Sequence, residues 1–294
     1  IRHIHSKFFR SISDHVLSPD ISDHTKLIDY DFCTIQENDI VYVSTGCIPE
    51  FLQFFSKIVN PIILISNDSD LSFPHDVMNH EEFFAIINSK NIIRWYVQNC
   101  TCVHPKITPI PIGLDYHTMM SNCNMGYATQ MHHQDLGVKM IRSHSQHVTK
   151  RELKCYCNFQ FRLDTRHSND RREALRLIDH SLLYVEETFA PRFKSHVTQS
   201  KFSFVISPLG NGLDCHRTWE ALILGCIPVI KKSELALNLF ENLPVLIVNE
   251  WSDVTYGLLH STMQNFKDFK HDFCKLDCSY WEDLICNDKL ALEI

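Results

Sequence analysis

The sequence predicts an α/β protein of two successive halves, each built on a parallel sheet. Short continuous apolar runs bounded by polar turns read as buried strands, and apolar-periodic stretches between them read as helices. The same alternation then resumes after a polar central stretch. With 294 residues, the chain has room for two domains of ordinary size. Ligands of such sheets bind at the carboxyl ends of strands, so two α/β halves imply parallel sheets facing across a cleft.

In chain order, residues 39–44 are a β-rich run ended by Thr45-Gly46, and a helix follows over 49–59. The run Pro61-Ile62-Ile63-Leu64-Ile65-Ser66 is apolar without interruption, as expected of a parallel strand covered on both faces. Asn67-Asp68-Ser69-Asp70 closes it as a polar loop. Residues 81–89 read as helix and 92–97 as strand. Residues 106–113 read as extended, because Pro109 and Pro111 exclude a helix interior. Residues 118–150 are rich in Asn, Gln, His and Ser; the first domain is therefore drawn over 1–130 and a linker over 131–150.

The second half begins with a strand within 153–161 and a helix over 171–178. Strands at 202–207, 227–230 and 245–248 alternate with helices at 215–224 and 234–240, and helices follow over 251–285. This places a second domain at 151–270, with C-terminal helices over 271–294 packing back on the first.

Composition narrows the function classes. Apolar residues are 44% and charged residues 21%, which excludes collagen-like and wholly disordered chains. No apolar run approaches the roughly 18 residues of a membrane span, and the N-terminus lacks a signal-peptide core, so a soluble cytoplasmic chain is expected. The 12 cysteines contain no C-x-x-C pair and the 18 histidines no H-E-x-x-H, so reduced, mostly buried thiols and no metal site are expected.

A net charge of −7 argues against a nucleic-acid surface. Residues 139–194 nevertheless carry 12 Lys and Arg against 7 Asp and Glu. Within that segment Arg162, Arg166, Arg171 and Arg172 have the shape for bidentate phosphate contacts. A solvated helix face around 171–176 explains the same residues equally well.

The most informative segment runs from Ser207 to Ile230. A buried strand ends at Ser207, and the loop Gly210-Asn211-Gly212 lets backbone approach a ligand. Asp214 is placed to cap the next helix. His216 and Arg217 lie in its first turn, where free N–H groups and the helix dipole favour an anion. Glu220, one turn on, is placed to accept hydrogen bonds from ribose hydroxyls. The plainer alternative is a tight turn with an i,i+3 ion pair between Arg217 and Glu220.

This segment resembles the donor-binding motif of exostosin-like glycosyltransferases, in which a strand, a Gly-containing loop, an Arg and Glu-Ala-Leu precede Gly-Cys-Ile-Pro-Val. The likeness covers residues 200–231, and Gly-Asn-Gly-x-Asp-Cys-His-Arg looks most like members from large DNA viruses, chlorovirus xylosyltransferases among them. The resemblance implies a GT-B architecture of two Rossmann-like domains, a nucleotide-sugar donor in the C-terminal one, and metal-independent inversion at the anomeric carbon. Arg217 would meet the diphosphate and Glu220 the ribose. It further implies a UDP-sugar donor, with UDP-xylose the first choice, and a glycan acceptor on a viral glycoprotein in the host cytoplasm. The chain departs from animal members in showing no membrane anchor and no second catalytic domain.

An inverting transfer needs a base for the acceptor hydroxyl. Asp70 and then Asp68 are the candidates, because they follow the buried strand 61–66; an ordinary Asx-rich turn is the alternative. Asp115 and His104 are weaker candidates, and Thr45-Gly46 is placed to shape the acceptor pocket. Asn158, Arg162 and Arg166, after the first strand of the second half, are expected near the diphosphate, and residues 186–193 near the uracil. Asp68-Ser69-Asp70 is also a D-x-D, which in metal-dependent GT-A transferases holds a divalent ion. A binding protein that has lost the base is a further alternative. A NAD-binding fingerprint fails, because Cys215 stands where the third glycine belongs. Asn67-Asp68-Ser69 and Asn99-Cys100-Thr101 fit the N-glycosylation pattern.

Overall fold

A computed structural model describes residues 1–20, 24–121, 130–266 and 270–290. The chain forms two compact units: His5–Ile112 with Cys278–Ile294, and Ile1–Ile4 with Gly113–Asp277. We refer to them as the N-terminal unit and the motif unit.

The N-terminal unit contains α1 (Phe8–Ser11), β1 (His15–Val16), β2 (Ile40–Tyr42), α2 (Ile48–Phe54), β3 (Ile62–Ser66), α3 (His80–Ile87), β4 (Ile92–Val97) and β5 (Ile107–Pro109). Its strands are all parallel and lie in sequence order, β1-β2-β3-β4-β5. β3 is central and buried at all five positions, which is why it is apolar from Ile62 to Ile65. The buried Trp95 indole donates to Ser66 Oγ at 3.0 Å, so its polar atom costs little in the core. An Asn79–Glu82 capping box starts α3. The helix Cys278–Leu290 belongs to this unit: Asp288 accepts from Arg94 Nε at 2.8 Å and from the Tyr96 hydroxyl at 2.6 Å.

The motif unit contains α4 (Tyr116–Ser121), α5 (Met131–His144), β6 (Glu152–Cys157), α6 (Ser168–Leu177), β7 (Leu183–Val185), α7 (Arg192–Gln199), β8 (Phe202–Ile206), α8 (His216–Ile223), β9 (Ile227–Lys231), α9 (Glu234–Leu239), β10 (Leu246–Val248) and α10 (Tyr256–Asn265). Its parallel strands lie in the order β7-β6-β8-β9-β10. Numbered within the unit this is 2-1-3-4-5, the order of a doubly wound sheet whose connections reverse direction between its first and third strands. The chain therefore has the two Rossmann-like α/β sheets expected of it.

Where a linker was expected over 131–150, the structure has α5, with Gln134, Asp135, Val138 and Ile141 buried. Polarity misleads here because the buried polar groups are bonded. Asp135 accepts from His3 Nδ1 at 2.7 Å, Lys139 Nζ at 2.9 Å and the Tyr116 hydroxyl at 2.9 Å. Burial raises its carboxyl pKa, but these partners outweigh burial and hold it well below the usual range. The part of that polar stretch at 122–129, and the chain end 291–294, lie outside the described residues.

All eleven described cysteines are free. Among the described residues, no helix is long and apolar enough to cross a membrane.

Candidate functional site

The reversal of strand order in the motif unit opens the carboxyl ends of β6 and β8, the position where open α/β sheets bind ligands. Two loops leave there: residues 158–167 after β6, and residues 207–215 after β8. Arg217 joins them, its Nε donating to Asn158 Oδ1 at 3.2 Å while its guanidinium lies over the Phe159 ring at 5.6 Å. An amide oxygen orients the cation without neutralising its charge.

The loop after β8 is held by two consecutive residues of α6. Asp170 Oδ2 accepts the Leu209 N–H at 2.8 Å, and Arg171 Nε donates to the Leu209 carbonyl at 3.0 Å. Arg171 also donates from Nη1 to the Arg162 carbonyl at 2.5 Å, tying both loops to one buried guanidinium. A Cβ on Gly210 would meet Arg171 Nη2 at 3.2 Å and Cys215 Sγ at 3.3 Å. Gly210 thus gives room to Arg171 and Cys215. Among the described residues the glycines in the left-handed region are Gly113 and Gly225, so the Gly-Asn-Gly loop needs no unusual backbone. Asn211 Oδ1 accepts the Arg166 N–H at 3.1 Å, and the Gly212 carbonyl accepts the Gly210 N–H at 3.3 Å.

Arg171 is not part of a solvated face. Burial lowers its pKa to about 10, and the nearby cations Arg217 and Arg162 push the same way. Like charges gathered in a partly desolvated place repel one another, and an anion beside them would relieve that repulsion. Arg162, Arg166 and Asn211 are exposed at its edge.

One expectation for the motif helix is corrected, and one feature of its plainer alternative is not found. Asp214 does not cap α8: both its oxygens accept from the buried Trp219 indole at 2.9 and 3.0 Å, and the cap position falls on Cys215. The fully buried indole N–H one turn into the helix needs an acceptor more than the only partly buried helix start does. The Arg217–Glu220 ion pair also does not form. Glu220 instead meets Arg192 Nη1 and, at 3.5 Å, His196 Nε2, both from α7. Burial raises the Glu220 pKa, but Arg192 first and then His196 outweigh it and hold the carboxyl well below its usual range. His216 Nδ1 donates to the Gly113 carbonyl at 2.7 Å, which fixes its ring.

Asp115, taken from the sequence as a base candidate of the first half, lies in the motif unit, 3.8 Å from Arg192. Arg192 falls within the segment 186–193 expected near the uracil, but nothing in its short, largely polar helix α7 marks it as the partner of Glu220. Glu186 is buried and accepts from Ser195 Oγ at 3.2 Å. Glu187 is exposed, and the exposed Phe189 meets Phe161 edge to face at 6.1 Å beside the loop after β6.

In the N-terminal unit, Asn67-Asp68-Ser69-Asp70 follows the central strand β3. Asp68 takes a left-handed backbone, φ 60°, its N–H donates to Gln98 Oε1 at 3.1 Å, and its carboxylate accepts from Lys7 Nζ at 2.6 Å. Gln98 and Asn99 both donate to the Ser69 carbonyl. The half-buried Asp70 is thus carried on a braced loop. Of the D-x-D pair, Asp68 is ion-paired with Lys7 at 2.6 Å. Among the described residues, no three His, Cys, Asp or Glu side chains are grouped to hold an ion.

Thr45 N–H donates to the Asn67 carbonyl, and a Cβ on Gly46 would meet the His24 carbonyl at 2.6 Å, so both are packing positions. His104 Nδ1 accepts the Lys106 N–H. Asn67 and Asn99 are fully buried, which leaves neither glycosylation pattern an accessible acceptor in the folded chain.

No protein-family model and no curated protein matches the chain. Among solved structures it is similar to an alpha,alpha-trehalose 6-phosphate synthase from Burkholderia multivorans, at 11% identity and a TM-score of 0.45, covering 89% of this chain and 73% of that one. It is also similar to a UDP-forming alpha,alpha-trehalose-phosphate synthase from Burkholderia xenovorans in complex with glucose-6-phosphate, at 14% identity and a TM-score of 0.44, covering 87% and 75%.

Proposed function

We propose that the chain is a glycosyltransferase of the GT-B type that transfers a sugar from a UDP-sugar to a glycan hydroxyl with inversion and without a metal. The observation that carries this reading is the Arg217–Asn158 bond across the carboxyl ends of β6 and β8, with Arg171 and Arg162 beside it. The exostosin-like wording of residues 200–231 supports it and makes UDP-xylose the first donor to test. A viral glycoprotein glycan in the host cytoplasm is the corresponding acceptor.

In this reading the diphosphate lies against Arg217 and Arg162 at the start of α8, with His216 alongside. Arg171 and Asp170 position the loop and touch no substrate. Glu220 accepts from the ribose with lone pairs that Arg192 and His196 leave over, since a carboxylate has about four such sites. The exposed Phe161–Phe189 pair offers the uracil a stacking face. The acceptor oxygen attacks the anomeric carbon as the bond to the diphosphate breaks, and its proton passes to Asp70. Asp68, held by Lys7, orients the loop.

The test is hydrolysis of a panel of UDP- and GDP-sugars by the purified chain, with EDTA and then with manganese. Selective UDP-sugar turnover that survives EDTA is expected. Turnover only with manganese would overturn the metal-independent reading, and failure of every nucleotide sugar to bind would overturn the donor site.

A further inference from the structure

A second cavity of about 680 Å³ lies in the motif unit, at the end of the sheet opposite the anion site. Glu152 and Lys201 on its wall are, respectively, the first residue of β6 and the residue before β8. They are held side by side by the Glu152 N–H donating to the Lys201 carbonyl at 3.0 Å. The cavity therefore opens at the amino ends of the strands whose carboxyl ends carry Asn158 and the Gly-Asn-Gly loop. Its volume falls within the roughly 300–1,000 Å³ of small-molecule sites.

The lining has two chemistries. Met140 and Ile141 of α5 face Phe193 and Val197 of α7 across it, forming an apolar wall; Met140 is 52% and Val197 38% exposed. Around this wall stand His144, Lys150 and Lys201, with Glu152 the one acidic lining residue. Arg151 also reaches the cavity, but its guanidinium is committed to the Gln146 carbonyl, the Leu224 carbonyl and Cys226 Sγ. Lys150 and Lys201 are exposed and make no ion pair among the described residues. An apolar wall edged by two such ammonium groups is complementary to a molecule with an apolar body and one anionic group.

We propose that this cavity is a second binding site, separate from the donor site, for a small amphiphilic anion: an aromatic or acyl body carrying a carboxylate, sulfonate or phosphate. The probes are 8-anilinonaphthalene-1-sulfonate, read by its fluorescence on the full chain, and decanoate as competitor. Saturable binding of one sulfonate per chain is expected, with displacement by decanoate for an acyl-type site and by naphthoate alone for an aromatic-type site. Either pattern supports the shared chemistry.

Lys150→Glu with Lys201→Glu should weaken the probe by about tenfold or more, the effect of reversing two nearby charges. Val197→Gln, which replaces an apolar wall residue at an exposed helix position by a neutral polar one, should also weaken the probe while leaving the far-ultraviolet circular dichroism unchanged. Unchanged affinity in both variants would overturn the proposal. So would equal displacement by dodecyltrimethylammonium, which shows no preference for an anion, or displacement by UDP, which places the probe in the donor site.

Discussion

The loops after β3 and β8 begin alike and end in different chemistry. Each leaves a central, five-residue strand buried at every position, and each is polar. After β3 the loop presents two aspartates, one tied to Lys7, and is braced by the amides of Gln98 and Asn99. After β8 the loop is gripped by Asp170 and Arg171 and lies among three guanidinium groups. The strands do not cause this difference. The N-terminal sheet keeps its strands in sequence order, whereas the motif sheet reverses direction between β6 and β8 and so brings two loops to one place. The three guanidinium groups come from different segments, and the reversing sheet gathers them.

The comparison breaks most sharply at the proposed base. Asp70→Asn should lower transfer by about 10²- to 10⁴-fold, the usual worth of general base catalysis, with UDP affinity by calorimetry unchanged. Unaltered turnover would remove the acceptor-side role of the β3 loop. On the other side, Arg217→Ala should lower turnover by about 10²- to 10³-fold, as expected when a preorganised charge on the leaving group is lost. If Arg217→Ala weakens donor binding but leaves turnover at saturation intact, Arg217 binds the ground state and the transition state alike.

Arg171→Met sharpens the contrast between binding and positioning. Removing the donor to the Leu209 and Arg162 carbonyls should cost about 2–4 kcal/mol, visible as a lower midpoint in urea, with donor Kd raised about tenfold. Unchanged stability would mean that the loops stand without it.

The smallest effect concerns pH. Glu220 and Asp135 have folded-state pKa values below their unfolded ones. Each therefore contributes stability that is fully present above the ordinary carboxylate pKa of about 4 and is lost as pH falls toward the lowered value. Glu220→Gln should flatten the acid limb of the Tm–pH curve between about pH 4 and 2 and leave its shape above pH 6 unchanged. A variant with the same acid slope as the parent chain would show that Arg192 does not hold Glu220 as described.

The long apolar strands were legible because burial on both faces leaves no room for polar residues; β3, β4, β8 and β9 all lie where the apolar runs place them. β1 and β7, two and three residues long and partly exposed, carry no such signal. α5 and α7 were missed for the opposite reason. Asp135 and His196 are polar residues inside the fold, and their partners His3 and Glu220 are distant in sequence or belong to another helix. Of the motif, Arg217 and Asn158 come together as their placement after β8 and β6 suggests, while Asp214 turns inward to Trp219. A side chain able to cap a helix and one able to satisfy a buried indole look the same in a sequence.

Local pattern was enough to establish two parallel α/β halves and their central strands. Hydrophobic periodicity and glycine spacing are properties of neighbours along the chain, and they survive in one dimension. Folding decided the partners: Arg171 as the tie between two loops, Arg192 as the cation of Glu220, and Lys7 as the cation of Asp68. Each of those pairings depends on strand order and on which side chains burial leaves unsatisfied, and neither is written in the spacing of residues along the chain.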